Sequence, residues 1–175
     1  MRPTGIVPIL IAASLVASTS CSDTAAPTSP GKATVAPALT TLNGVIHLSQ
    51  TRANGVVLSL ADGEDVTLDG SAIEDLYNIE NAEVEVRGTW SDATFLMSDF
   101  LVQRVDGTDV MDGILVPIQA QDLDGPILGY ALNLTRGPTV ALVDPPAELI
   151  AHVGERVWVA ETADGQAMAF GIIGR

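Results

Sequence analysis

Two strings decide the fold: GVVLSL at residues 55–60 and GYALNL at residues 129–134. In each, apolar side chains recur at every second position after the glycine, Val56, Leu58 and Leu60 in one and Tyr130, Leu132 and Leu134 in the other. Successive side chains of a strand point to opposite faces, so this alternation marks a half-buried strand with one apolar side. Reading outward from the two strings recovers the same succession of segments twice. The first copy contains LNGVIHLS (42–49), DVTLD (65–69), AEVEVRGTW (82–90) and TFLMSDFLV (94–102); the second contains MDGILVPI (111–118), TVALVD (139–144), ERVWVAET (155–162) and AMAFGII (167–173). Gly44 and Gly113 stand 69 residues apart and Gly55 and Gly129 stand 74 apart, while Val84 with Val157 and Phe95 with Met168 both give 73. Near-constant offsets over five segments indicate an internal duplication.

Strand parity selects Val56, Leu58, Leu60, Val66, Leu68, Val84, Val86, Tyr130, Leu132, Leu134, Val157 and Val159 as core, with Trp90 on the same inward side. Asp62-Gly63, Ser91-Asp92 and Asp164-Gly165 mark hairpin turns, because Gly and Asp accept tight-turn backbone geometry. Between the third and fourth segments, Ser71-Ala72-Ile73-Glu74 reads as a capping box opening a short helix whose apolar face is Ile73, Leu76 and Tyr77. The matching stretch, Pro145-Pro146-Ala147-Glu148-Leu149-Ile150, predicts a single turn with the prolines in its first turn.

Three strands, a short helix and two strands resemble the OB-fold, a five-stranded, partly open barrel. The expected architecture is mostly β: two tandem OB-fold-like β-barrels over residues 40–105 and 106–175, each with one short helix between strands 3 and 4. An SH3-like barrel or one merged β-sandwich accommodates nearly the same order. OB-folds bind oligonucleotides or oligosaccharides on the face of strands 2 and 3. That face would carry Val57, Ser59, Thr67 and Asp69 in the first copy and Ala131, Asn133, Ala141 and Val143 in the second.

Residues 1–20 have a different character. Arg2 is followed by an apolar run from Ile6 to Val16 and then by Ala17-Ser18-Thr19-Ser20-Cys21, the order of a secretory signal. As a helix such a run rises only about 16 Å, half of a hydrocarbon core roughly 30 Å thick. Cys21 is the single cysteine and stands at the expected cleavage point, so no disulfide forms within the chain. The arrangement resembles the signal of bacterial lipoproteins, with Ser18 where that family usually has leucine. The resemblance implies that Cys21 is acylated and becomes the mature N-terminus, and that Ser22 rather than Asp after it favours an outer membrane. Several acyl chains anchor firmly, since each buried methylene contributes about 0.8 kcal/mol. Residues 21–38, rich in Ser, Thr, Ala and Pro, read as an extended tether between lipid and folded part.

Composition narrows the function. Lys plus Arg is 8 and Asp plus Glu 22, a net charge of −14, which disfavours phosphate backbones; the expected OB faces also lack the cations and aromatics that nucleic acid requires. The hydrophobic share of 47% excludes an acidic disordered chain. His47 and His152 accompany no Gly-x-Ser-x-Gly elbow, no zinc spacing occurs and no glycine-rich phosphate cradle is present. The expectation is a non-catalytic envelope protein without a cofactor, joined to a membrane through its lipid and binding an envelope protein or a glycan. The alternative is a small-ligand or calcium-binding protein using the acidic loops, with Asp106, Asp109, Asp122 and Asp124 as candidate ligands beside Asp112. Trp158 lies between Val157 and Val159 and therefore points outward, either to contact a partner or to pack between the barrels.

Overall fold

The computed structural model describes residues 38–49, 55–120 and 125–174. The alternating segments form β1 (Thr40–Ser49), β2 (Gly55–Leu60), β3 (Asp65–Gly70), α1 (Ile73–Leu76), β4 (Glu83–Ser91) and β5 (Thr94–Val105), then β6 (Thr108–Asp109), β7 (Met111–Gln119), β8 (Ile127–Leu134), β9 (Thr139–Leu142), α2 (Ala147–Ile150), β10 (Arg156–Glu161) and β11 (Ala167–Gly174). The first sheet has the order β3-β2-β1-β4-β5-β6 and is closed by parallel pairing of β3 with β5. The second has the order β11-β10-β7-β8-β9. These are two tandem OB-fold-like barrels, each with one short helix between its third and fourth strands. The two-residue β6 adds to the first sheet beyond β5, a strand the alternation had not suggested.

Register makes the repeat physical. Gly44 lies opposite Leu60 and Val84, and Gly113 lies opposite Leu134 and Val157. Ile46 faces Leu58, which faces Val66; Leu115 faces Leu132, which faces Val140. Both copies need glycine in the first strand for one reason. A Cβ on Gly44 would strike the Ser59 carbonyl oxygen, and one on Gly113 would strike that of Asn133, the equivalent residue.

Each barrel fills its interior with the residues that parity selects. Val56, Leu58, Val66, Leu68, Val84 and Val86 are buried in the first core, around Phe95 and Phe100, with Leu60 packed at its margin. Leu132, Val157 and Val159 are buried in the second, with Tyr130 and Leu134 packed against them. Leu76 is fully buried, and Ile73 and Tyr77 pack on the same cluster, as the apolar face of α1 requires.

Four expectations need correction. Trp90 is 45% exposed, because it lies at the hairpin end of β4 opposite Phe95, where its ring meets the phenyl edge-on at 5.3 Å. Parity fixes a side chain's face and not its depth along the barrel axis. Met168 is not the counterpart of Phe95: it is exposed, and Phe95 is fully buried. The partners of the fourth strands instead equate Phe100, opposite Val86, with Phe170, opposite Val159, because β11 has 8 residues where β5 has 12. The capping box does not form. The first helical residue is Ile73, so Ser71 falls one position too early and Ala72 caps without a side-chain bond. Likewise Pro146 precedes α2 in extended conformation, so the prolines sit before the helix and not in its first turn.

Candidate functional site

The four arginines among the described residues each sit on a carboxylate, and two of them hold the barrels together. Asp112, on the outward side of β7, is buried at its contact with the first barrel. Its Oδ1 accepts from Arg156 Nε at 2.9 Å and from Thr135 Oγ1 at 2.7 Å. Its Oδ2 accepts from Arg156 Nη2 at 2.7 Å and from the Val102 amide of β5 at 2.8 Å. Arg156 also donates from Nη2 to the Phe100 carbonyl at 2.7 Å and stacks 4.1 Å over the Phe100 ring. A buried pair is tolerable only when its remaining hydrogen-bonding capacity is met, and this one is met from both barrels.

Arg136, in the turn after β8, reaches across to Glu85 of β4 and to Asp99 of β5, at 3.1 Å for the latter. The hydrogen bond from Arg136 holds the Glu85 carboxyl below the usual range, against the opposing effect of burial and aided by the charges of Arg136 and Arg87. Apolar contacts complete the joint. Ile173 of β11 is fully buried in the first barrel's cluster and Trp158 packs on that cluster. The indole lies over Gly171, where any Cβ would meet it, and Asn78 Nδ2 donates to the Ile173 carbonyl at 2.9 Å. Trp158 therefore faces outward from its own barrel and packs against the other.

Asp109 is bound by Arg104 at 2.6 Å and Asp112 by Arg156, while Asp106 occupies the tight turn between β5 and β6 at φ 51°. Asp122, Asp124 and Cys21 lie outside the described residues. Among the described residues no three His, Cys, Asp or Glu side chains are gathered as metal ligands. His152 Nδ1 lies 2.8 Å from Glu155 Oε2, and His47 stands exposed on β1. His47 lines a groove of about 350 Å³ with Asn43, Ser59, Glu83 and Gln103. A smaller one of about 290 Å³ lies at the joint, beside Asp112 and Arg136.

What remains exposed differs between the barrels. Among the described residues, Ile114, Ile118, Ile127, Leu128, Val143, Val153 and Met168 of the second barrel are exposed large hydrophobics, against Trp90 and Leu96 in the strands of the first. Ile114, Val116 and Ile118 alternate with the buried Leu115 and so share the outer side of β7. Across β7 and β8, Ile118 lies opposite Gly129 and Val116 opposite Ala131, while Ile114 lies opposite Asn133 and Gln119 opposite Ile127. The first barrel places Asn43, Val45 and His47 at the corresponding face of β1. Of the expected OB faces, Asp69, Asn133, Ala141 and Val143 are exposed, whereas Ala131 is buried although parity turns it outward. Period-two alternation does not mark this face, because it separates the inward residues from the outward ones without saying whether an outward apolar residue is covered. The run Ile114-Leu115-Val116-Pro117-Ile118, apolar at every position, was the available signal.

Comparison with protein-family models, with curated proteins and with solved structures finds no match. The described residues contain no helix long and apolar enough to cross a membrane.

Proposed function

We propose that the chain is a non-catalytic, lipid-anchored protein of the bacterial cell envelope that binds another envelope protein. The observation that carries this reading is the exposed apolar face of β7 and β8, on a molecule whose buried Asp112 is occupied in joining the barrels. A contiguous apolar patch on a folded surface marks an interaction site more often than a lone exposed residue does. Acyl chains on Cys21 would confine this face to a membrane plane and raise its effective concentration towards a partner in the same plane. The negative charge favours a basic partner.

The test has two arms. Cys21→Ala should move the protein from the membrane to the soluble fraction; retention of the variant at the membrane overturns the anchor. Crosslinking in intact source cells, followed by identification of the captured species, should return a protein whose yield falls when Ile118 is replaced by Asp. Equal yield from that variant overturns the assignment of the face.

A further inference from the structure

The two barrels end differently at the seam between their third and fifth strands. In the first, β5 has β3 beside it from Thr94 to Met97. In the second, among the described residues, β11 is paired with β10 alone, and the seam is held by one parallel bridge between Val143 and Gln166. Beyond that bridge the chain continues as Asp144, at φ 43°, then Pro145 and Pro146, which carry no N–H. The beginning of β11, Ala167–Ala169, thus presents an edge without a strand partner among the described residues, and Met168 and Ala169 on it are exposed. At its far end β11 is covered by Asn78, which binds the Ile173 carbonyl. Unpaired edges of this kind invite an added strand.

Charge selects the occupant. Glu161 of β10 lies opposite Ala167, and its Oε1 is buried with no hydrogen-bond partner among the described residues. Asp144, Glu148 and Asp164 belong to the segments that flank the seam, and the described arginines are engaged with other carboxylates. A second copy of this chain brings its own charge of −14 to the same edge, which opposes pairing between copies.

We propose that the free edge of β11 accepts an extended, cationic segment of a partner protein as an added strand, with a lysine or arginine of that segment meeting Glu161. This rests on the reading of the chain as a binding module and assigns it a second contact, distinct from the face of β7 and β8. Backbone pairing supplies the affinity, and the acids choose the sign of the side chains.

The full chain should be titrated with three synthetic peptides of about nine residues, the length of an ordinary strand: alternating valine and lysine, alternating valine and glutamate, and the lysine peptide with prolines replacing alternate valines. Affinity and amide hydrogen exchange are read together. The lysine peptide should bind at least about tenfold more tightly than the other two and slow exchange at Ala167–Phe170, and Glu161→Gln should weaken it by about tenfold. Equal binding of the proline peptide reduces the effect to charge attraction and overturns the proposal. So does protection confined to another strand, undiminished binding to Glu161→Gln, or absence of binding at millimolar peptide. If these peptides fail while crosslinking captures a partner through Ile118, the strand site falls and the binding module stands. The reverse pattern retains the strand site and removes the face.

Discussion

In the first barrel β3 and β5 run side by side through four residue pairs, from Thr67 opposite Thr94 to Gly70 opposite Met97, whereas the same seam in the second barrel is reduced to Val143 opposite Gln166. Apart from β6 and the longer β5, the two sheets share their strand order, helix position, and the register around Gly44 and Gly113. Packing follows closure. The first cluster has fifteen buried apolar residues, including Phe95, Phe100 and the second barrel's own Ile173; the second has six, and its equivalent phenyl, Phe170, is only partly buried. The second barrel compensates by leaning on the first, giving Ile173 and Trp158 to its neighbour's core. Two copies of one pattern have thus diverged into a closed barrel and a more open one, and the open one carries most of the exposed large hydrophobics among the described residues.

The largest expected effects separate the two cores. Phe100→Ala should cost about 4 kcal/mol in chemical denaturation, in the range for emptying a fully buried phenyl site, and Phe170→Ala about half as much. Equal losses would erase the distinction between a filled barrel and an underfilled one.

Next comes the joint. Arg156→Ala strands Asp112 as a buried charge and should cost about 3 kcal/mol or more. Because Asp112 accepts from Val102 and Arg156 donates to Phe100, the loss should also weaken the coupling between barrels. Unfolding followed at Trp90 and at Trp158 should coincide in the parent and separate in the variant. Coincident transitions in the variant would show that the apolar contacts of Ile173 and Trp158 suffice to couple the barrels.

The strands other than the two-residue β6, the turns and the duplication are legible in the sequence because period-two alternation and positive-φ turn residues are local signals. Gly63, Asp92 and Gly165 all adopt the left-handed backbone that their turns require. What alternation does not encode is position along the barrel axis, hence the misplacement of Trp90. It also does not encode strand offset, hence the false pairing of Met168 with Phe95. The Asp112–Arg156 pair was invisible for another reason: the partners are 44 residues apart and both point away from their own barrel's core. Asp112 looked like one acid of a loop cluster, and only the neighbouring barrel turns its site into an interior.

A smaller effect tests the equivalence of the copies. Gly44→Ala and Gly113→Ala each force a methyl against a backbone carbonyl, and each should cost about 2 kcal/mol. Similar losses measured by denaturation support a shared geometric need. A much cheaper change at Gly113 would show that the open barrel yields where the closed one cannot.

The smallest effect is electrostatic and has opposite signs in the two barrels. Glu85 is held below its ordinary value of 4.5 chiefly by the Arg136 hydrogen bond, so its contribution to stability is present above about pH 4.5 and is lost as pH falls through its lowered value. Glu161 is pushed above 4.5 by burial, so its contribution is fully present below about pH 4.5 and is lost as pH rises through its raised value. At pH 7, Glu85→Gln should therefore destabilise the protein and Glu161→Gln should stabilise it, each by about 1 kcal/mol or less. The charge-dependent part of each change should vanish once the carboxylates are protonated in both folded and unfolded chains. Denaturation midpoints of the two variants against the parent at pH 7 and near pH 3 measure this directly. The midpoint differences should contract at low pH, and equal shifts of the same sign at pH 7 would remove the contrast between a satisfied carboxylate at the joint and an unsatisfied one at the open seam.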